Sequence, residues 1–320
     1  MRTSVIFPVM ATDPADLVPF AELVRDGLAE RLWQGQSLSL ETHQTFAYLA
    51  GMGFRIPVGT SVALMPMRHF LDAAVQAKSL ARLTGQSMVM GIGPGSPDFV
   101  TALRGGPYAS PRDAVSAYLC ALQGLLRGED DLDGLPGSLL PAHSHPQVEV
   151  GLGVLRPVLA RVAGQAADVA ITWMTPPSYV RDELLPALVR GAQEADRAVP
   201  RVATVVHIGV AHPDRNPYRI AYDAAHTHLS APHYTDMLRR AGVRAHPASP
   251  YLGARALVDS GTFLYGPPDE VAASLAAYGR AGVDEVILNV AGVGITHGFA
   301  AAAADLHDVL TAVQDHRVAA

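Results

Sequence analysis

The chain has 320 residues, of which 49% are hydrophobic and only 17% charged, and this composition indicates a globular protein with a large core. The net charge of −6 does not favour nucleic acid as a partner, and no apolar run approaches the roughly 20 residues needed to cross a bilayer. Because Cys120 is the only cysteine, no disulfide can form within the chain, and we expect a cytoplasmic protein with this thiol packed in the core.

Short apolar strands alternate with amphipathic helices along the chain. The first half predicts strands at Thr3–Pro8, Arg31–Gln34, Pro57–Ala63 and Ser87–Ile92, separated by helices Ala15–Leu28, Glu41–Ala50 and Arg68–Leu83. The second half predicts helix Ala114–Leu126, strand Val148–Gly151, helix Pro157–Gly164, strand Asp168–Thr172, helix Tyr179–Ala195 and strand Val202–Val210. Helix Pro268–Ala281, strand Glu285–Asn289 and helix Gly298–Val313 complete the chain.

Eight strands that alternate with helices favour an α/β fold, a (β/α)8 TIM barrel, over an open doubly wound sheet. We expect one domain over residues 1–320. A loop insertion around residues 128–147 is rich in Gly, Pro, Asp and His, and a helical insertion around residues 212–244 carries four histidines. Either insertion is placed to shape the mouth of a pocket.

The segment from Gly91 to Ser96 predicts a glycine-rich turn that follows a strand. Such a turn presents free backbone N–H groups without obstructing side chains, a geometry suited to phosphate or another anion. A tight strand-to-helix connection that binds no ligand fits the same pattern equally well.

Two histidine pairs, His143 with His145 and His226 with His228, raise the question of a metal site. Side chains two positions apart share a face of a strand but diverge by roughly 200° on a helix. The second pair lies in a predicted helix, and no cysteine or Glu/His cluster completes either pair. We therefore expect no catalytic metal and assign these histidines to a surface or a pocket wall.

Several sequence pieces, taken in order, carry a resemblance to a known family. They are LWQGQS at residues 32–37, VGTSV at 58–62, Pro66-x-Arg68-His69, GIGPGS at 91–96, ADVAITWMTP at 167–176, GPPDEV at 266–271 and AGVDE at 281–285. With these pieces the chain resembles the luciferase-like flavin and deazaflavin oxidoreductases, specifically the branch that uses coenzyme F420. The resemblance runs over nearly the whole length.

The resemblance implies that coenzyme F420 lies across the C-terminal mouth of the barrel. The phosphate-bearing tail would then lie over the glycine segment, and the ring beside the end of the third strand, where a cis Ser61-Val62 peptide is the candidate support. An ordinary trans strand end remains an alternative there, and Trp173 can also be read as a core residue. The cofactor-binding residues implied are Gln36, Ser37, Thr60, Ser61, Val62, Gly91, Gly93, Pro94, Gly95, Ser96, Leu152, Gly153, Trp173, Met174 and Thr175.

The catalytic residues are less clearly marked. The related sugar-phosphate dehydrogenases carry a histidine soon after the second-strand tryptophan and a glutamate in the glycine turn, where this chain has Ser37 and Ser96. Their substrate is therefore not carried over, and we favour reduction of an activated C=C or C=N bond, which needs only a modest proton donor. The candidate donors are His43, His69, Asp98 and Tyr108, although His69 also fits a helix cap and Asp98 and Tyr108 a solvated loop.

Two other functions stay open, an FMN-dependent luciferase-like monooxygenase and a barrel without cofactor that serves as a binding or structural protein. The substrate is expected to be a small molecule or a modified peptide, such as one containing a dehydroamino acid. By the same resemblance we expect a homodimer that pairs through helices of the first half, for which Leu71–Leu83 and Ala114–Leu126 are alanine-rich candidates.

Overall fold

The computed structural model describes residues 1–128, 140 and 146–318. Eight parallel strands close into a barrel, in the order β10-β1-β2-β3-β5-β6-β7-β8, because β10 pairs with both β1 and β8. These strands are β1 Arg2–Ile6, β2 Leu32–Gln34, β3 Val58–Thr60, β5 Met88–Gly93, β6 Val148–Gly153, β7 Val169–Trp173, β8 Arg201–Val210 and β10 Glu285–Asn289. Two short strands lie outside this ring: β4 Ala63–Leu64 pairs with β5, and β9 Leu264–Gly266 pairs with β8. The (β/α)8 barrel expected from the sequence is confirmed.

Helices surround the barrel. They are α1 Val18–Arg25, α2 Thr42–Gly51, α3 Phe70–Thr84, α4 Pro97–Arg104, α5 Pro111–Arg127, α6 Pro157–Ala166, α7 Pro177–Tyr179, α8 Leu185–Glu194, α9 Pro217–Leu229, α10 Pro232–Arg240, α11 Pro250–Asp259, α12 Pro268–Arg280, α13 Ala291–His297 and α14 Phe299–Val318. A π-helical stretch, Val180–Leu184, joins α7 to α8, so the single helix predicted here is three successive helical segments. Among the described residues, no helix is long and apolar enough to span a membrane.

The lower half of the barrel interior is filled, which leaves only the carboxyl ends of the strands open. Trp33 is fully buried there, and its Nε1 donates to Oε1 of Glu285 at 2.8 Å. The same carboxylate oxygen accepts from Ser4 Oγ at 2.6 Å, and Arg201 lies 3.6 Å from the other oxygen. We therefore expect a ligand site at the carboxyl-terminal mouth, where active sites of this fold are found.

The sequence prediction omitted α4, α11, β9 and α13, and it did not separate β4 from β3. Helix α4 directly follows the glycine segment, helix α11 adds a third helix after α9 and α10, and β9 and α13 are brief. Helices α9 and α10 lie in the predicted helical insertion. Most of the predicted loop insertion at residues 128–147, together with His143 and His145, lies outside the described residues.

The expectation for Cys120 is wrong, because its side chain is exposed on α5 rather than packed in the core. Helix α5 buries the face that carries Val115, Leu119 and Leu122, and position 120 points away from that face. An apolar surrounding sequence indicated a buried helix, but only the helix phase decides which side chains face inward.

Candidate active site

A non-prolyl cis peptide bond joins Ser61 to Val62 directly after β3, as the resemblance predicted. Thr60, the last residue of the strand, is fully buried, and its Oγ1 donates to the carbonyl oxygen of Gly91 at 2.7 Å. The backbone N–H of Ser61 still donates to the carbonyl of Gln34 on β2 at 2.9 Å. The chain therefore leaves the sheet only after Ser61, between β3 and β4. The side chain of Val62 then faces the barrel mouth.

Three glycines make room for this bulge. A β-carbon at Gly91 would lie 2.0 Å from the carbonyl oxygen of Thr60, and one at Gly93 would lie 2.7 Å from Cγ2 of Val62. A β-carbon at Gly153 would lie 3.3 Å from Cγ1 of Val62. Val62 thus lies over Gly93 on β5 and Gly153 on β6, and neither glycine has a side chain at the contact. Val62, Gly93 and Gly153 together form a flat apolar surface, called the shelf below.

The predicted glycine turn is therefore partly wrong. Gly91 and Gly93 belong to β5, paired with β6, and the turn is limited to Pro94, Gly95 and Ser96. Gly95 has a φ of 78°, which glycine adopts without strain. Ser96 caps α4 by accepting from the backbone N–H of Phe99 at 3.3 Å. The first two glycines serve strand packing, and only the turn remains free to contact an anion.

A cavity of about 640 Å³ opens at the barrel mouth above this shelf. Its floor and near side include Ile6, Gln36, Ser61, Val62, Leu64, Gly93, Pro94, Gly95, Ser96 and Gly153. Its far side includes Ile171, Thr172, Trp173, His207, Ala224, His228, His233, Tyr234, Asn289 and Ala291. The volume lies in the range of small-molecule and cofactor sites.

Gln36 is held at the edge of the cavity by its own amide group. Its Oε1 accepts from the backbone N–H of Leu64 at 3.2 Å and from Arg68 at 3.4 Å, and its Nε2 donates to the carbonyl of Ser37 at 2.9 Å. Ser37 itself is buried, and its Oγ accepts from the backbone N–H of Ser39 at 3.2 Å. Gln36 is thus presented to the cavity, whereas Ser37 shapes the loop behind it.

The far side of the cavity is an aromatic wall contributed by strands and by the helical insertion. The ring of His228 on α9 stacks on Trp173 with centroids 5.2 Å apart, and Tyr234 on α10 meets His228 edge-on at 4.8 Å. His207 on β8 meets Trp173 edge-on at 5.7 Å and lies parallel to Phe263 at 6.2 Å. The histidine-bearing insertion therefore does shape the pocket mouth.

No lysine, arginine, aspartate or glutamate is among the described residues that line the cavity. Burial disfavours the charged form of all three lining histidines: it lowers the pKa of His207 to about 3 and that of His228 to about 4, and it also lowers the pKa of the half-buried His233. No group of three or more His, Cys, Asp and Glu suited to a metal ion occurs in the described part of the chain. The cavity is thus an uncharged chamber with polar side chains.

The cofactor residues implied by the resemblance fall into two groups. Gln36, Ser61, Val62, Gly93, Pro94, Gly95, Ser96, Gly153 and Trp173 line the cavity, and Ser37, Thr60, Gly91, Leu152, Met174 and Thr175 do not. The residues of the second group are buried behind those of the first. Thr60, for example, fixes the end of β3 through its hydrogen bond to the carbonyl of Gly91. Met174 has a positive φ of 55°, and Thr175 contacts the hydroxyl of Thr172.

None of the four candidate proton donors is among the lining residues. His43 is buried, with Nδ1 2.8 Å from Oε1 of Glu41 and Nε2 3.5 Å from Sδ of Met90. His69 caps α3 by accepting from the backbone N–H of Leu71 at 3.2 Å, which confirms the capping alternative. Asp98 is exposed in the first turn of α4, and Tyr108 lies under the guanidinium of Arg104 at 5.0 Å. Their catalytic role stays a prediction that this geometry does not support.

His207 and Asn289 are not among the site residues predicted from the sequence. Both lie at the carboxyl halves of barrel strands and are partners in the register of β8 and β10. The available signal was a lone imidazole in the apolar run VATVVHIGV at residues 202–210, since polar residues are costly in strands buried on both faces.

The chain is similar to known proteins in sequence and in fold. A model of the family described as "Luciferase-like monooxygenase" matches residues 7–285. No curated protein gives a significant match. Among solved structures, an F420-dependent tetrahydromethanopterin reductase from Methanopyrus kandleri is similar at a TM-score of 0.73 and 17% identity, covering 99% of each chain.

Two further structures are similar over almost their full length. An F420-dependent secondary alcohol dehydrogenase in complex with an F420-acetone adduct gives a TM-score of 0.72 at 15% identity, covering 96% of this chain and 98% of the other. The oxygenating constituent of 3,6-diketocamphane monooxygenase from Pseudomonas putida, in complex with FMN, gives 0.68 at 17% identity, covering 98% of each chain. At such identities the structures show a shared fold, and the match over residues 7–285 shows that the chain belongs to the luciferase-like monooxygenase family.

Proposed function

We propose that the protein is a coenzyme F420-dependent oxidoreductase that transfers a hydride between the deazaflavin and an organic substrate, and that it reduces an activated C=C or C=N bond. The family is that of luciferase-like oxidoreductases, and two of the similar structures are F420-dependent enzymes. The sequence pieces at residues 32–37, 91–96 and 167–176 favour the deazaflavin branch over the flavin branch.

The shelf formed by Val62, Gly93 and Gly153 carries the proposal that a tricyclic ring binds here, and the sequence pieces carry the choice of F420 over FMN. A planar tricyclic ring needs a flat apolar support, and here one valine side chain lies over two strands without side chains at the contact. The shelf faces a cavity of about 640 Å³, which is sufficient for such a ring together with a small substrate. The residues present therefore fit the cofactor.

The turn Pro94-Gly95-Ser96 and the start of α4 are suited to the phosphate-bearing tail. These residues lie at the cavity edge, where the backbone N–H groups of Gly95 and Ser96 and the dipole of α4 would favour an anion. Within the helix, Pro97 has no N–H and that of Phe99 already donates to Ser96. A charged tail would lie there because the cavity lining offers it no cation.

The uncharged lining supports reduction of an already activated bond. When bound, the deazaflavin would supply the hydride, and the protein's own task would be to hold the substrate against the ring and keep water out. Among the described lining residues, no carboxylate is available as a strong acid or base. A reaction that needs only a weak proton donor, such as water or a neutral side chain, fits this chamber best.

An FMN-dependent monooxygenase is the second candidate, because one similar structure is a monooxygenase constituent that contains FMN. The same shelf would support either ring, so the two candidates differ in the cofactor that binds and in the need for oxygen. A barrel that has lost its cofactor is the third candidate, and it predicts that neither ring binds.

The substrate and the assembly are further proposals. The substrate would be a small molecule or a modified peptide, with no role for nucleic acid or a membrane. Pairing into a homodimer through first-half helices is supported by exposed apolar side chains: Tyr48 on α2, Met52 directly after it, and Val75 and Leu83 on α3. Light scattering coupled to gel filtration would measure the mass of the assembly, and a monomeric mass at working concentration would contradict the pairing.

Parallel titrations with coenzyme F420 and FMN, followed by cofactor fluorescence, test the function. We expect tight binding of F420 alone and loss of binding in Gly153→Leu, whose side chain would displace Val62 from the shelf. Gly106→Ala is the matched control, since a β-carbon there meets nothing within 4 Å. Binding of FMN alone would favour the monooxygenase, and binding of neither would favour the cofactor-free barrel.

A further inference from the structure

Three strands at the far side of the cavity carry buried polar atoms that lack a hydrogen-bond partner among the described residues. These atoms are Nε1 of Trp173 on β7, both ring nitrogens of His207 on β8 and Nδ2 of Asn289 on β10. His207 and Asn289 are each only 1% exposed, and all three residues line the cavity. Buried polar groups in native proteins are nearly always hydrogen-bonded, so this set indicates that a ligand supplies the missing partners.

The residues that carry these atoms lie across the barrel from the proposed cofactor shelf. In the closed strand order, β8 lies four strands from β3 in either direction, so His207 is diametrically opposite the Ser61-Val62 bulge. Trp173 and Asn289 come from the strands on either side of β8. A substrate held between a ring on the shelf and the opposite wall would therefore lie beside these three residues.

Hydrogen-bond donors outnumber acceptors in this set. The indole Nε1 of Trp173 can only donate, and a neutral imidazole has one donor and one acceptor. Asn289 also presents its donor, because its Oδ1 already accepts from the backbone N–H of Ala291 at 2.8 Å. The matching ligand atom is an acceptor, such as a carbonyl oxygen or an imine nitrogen.

The surroundings of the donors specify the rest of the ligand. The flat rings of Trp173, His228 and Tyr234 continue the wall beside them, and such faces pack well against a planar conjugated system. A charged ligand would lose its hydration without gaining a counter-charge, since no ionised side chain is among the described lining residues.

We propose that Trp173, His207 and Asn289 form a substrate subsite for a neutral, planar, conjugated carbonyl or imine compound, whose oxygen or nitrogen accepts hydrogen bonds from these side chains. The inference rests on the proposed function, which locates the cofactor ring on the opposite shelf. It narrows the substrate class to uncharged conjugated acceptors and excludes carboxylates and phosphates from the space between ring and wall.

The test compares two probes of similar size, the neutral enone 4-phenylbut-3-en-2-one and the anion trans-cinnamate, by ligand-observed saturation-transfer NMR. We expect the enone to bind at least about tenfold more tightly than cinnamate. Trp173→Phe, which keeps an aromatic ring but removes the N–H, and Asn289→Leu should each weaken enone binding by about three- to tenfold, the range for one lost hydrogen bond. His307→Gln, on the exposed face of α14, should leave it unchanged.

Cofactor affinity is measured separately in the same variants, because this separates the two proposals. We expect Asn289→Leu, at a residue outside the implied cofactor set, to change the Kd for F420 by less than about twofold. If the variants weaken F420 binding but not enone binding, or if cinnamate binds as well as the enone, the subsite is overturned while the proposed function stands. If neither F420 nor FMN binds while the enone preference and its dependence on Trp173 persist, the subsite stands and the proposed function falls.

Discussion

Replacing His207 with phenylalanine should change how the stability of the protein depends on pH. The imidazole is 1% exposed, and neither ring nitrogen has a partner among the described residues. Burial, assisted by the nearby His228, lowers the pKa of His207 from 6.5 to about 3. The folded protein thus holds this side chain neutral at pH values where the unfolded chain protonates it.

The size of the effect follows from linkage. Between the two pKa values the unfolded state binds more protons than the folded state, so the free energy of unfolding falls as the pH is lowered through 6.5. Each pKa unit corresponds to about 1.4 kcal/mol. The interval from 6.5 to an assay pH of 5.0 therefore corresponds to a loss of about 2 kcal/mol, whereas at pH 7.5 His207 contributes almost nothing.

Urea unfolding at pH 7.5 and pH 5.0 measures this difference. The wild-type protein should lose about 2 kcal/mol more than His207→Phe between the two pH values, because other titrating groups contribute equally to both. His307→Gln removes an exposed imidazole and should behave like the wild type. If His207→Phe loses as much stability as the wild type on acidification, the imidazole is not held neutral and the reasoning is refuted.

Three other substitutions test particular contacts by urea unfolding at pH 7.5. Gly91→Ala should cost about 2–4 kcal/mol, since its β-carbon would lie 2.0 Å from the carbonyl oxygen of Thr60, and a cost as small as that of Gly106→Ala would contradict the packing. Glu41→Gln should cost about 1–2 kcal/mol because this carboxylate caps α2 and also pairs with His43. Burial raises the pKa of Glu41, but these bonds outweigh burial and lower it to about 2. The stability advantage of the wild type over the glutamine variant should therefore shrink as the pH falls below 4.5, and no such shrinkage is expected if the pKa of Glu41 is not lowered. Asp305→Ala should cost about 3–5 kcal/mol, because it leaves a buried arginine unpaired, and a change below about 1 kcal/mol would show that the pair is solvated.

The barrel could be predicted because its strands are buried on both faces and therefore form uninterrupted apolar runs. All eight predicted barrel strands are present, with boundaries shifted by a few residues. The missed elements lack that signal: β9 has only three residues, and α13 contains Gly292 and Gly294, which are poor helix formers. Short elements such as these are stabilised by their neighbours in the fold rather than by local sequence.

The glycine segment shows why part of the site could not be predicted locally. Glycines after an apolar run indicate a turn, yet Gly91 and Gly93 remain in β5. Their missing side chains are explained by Thr60 and Val62, which lie some thirty positions earlier and press against them. The bulge itself was expected only from family resemblance, since no propensity rule places a cis bond between serine and valine.

The polar wall illustrates a different limit of sequence reasoning. Trp173, His207 and Asn289 are far apart in the chain and meet only because parallel strands bring their carboxyl ends to one rim. Each polar side chain lowers the stability of the free protein, because a buried group without a partner loses hydration and gains no hydrogen bond. A bound acceptor reverses that loss for all three residues together. Polar residues that interrupt apolar strands are therefore informative when the fold brings them together on neighbouring strands. Here His207 and Asn289 are register partners on β8 and β10, and Trp173 on β7 lies opposite Val205, two residues before His207.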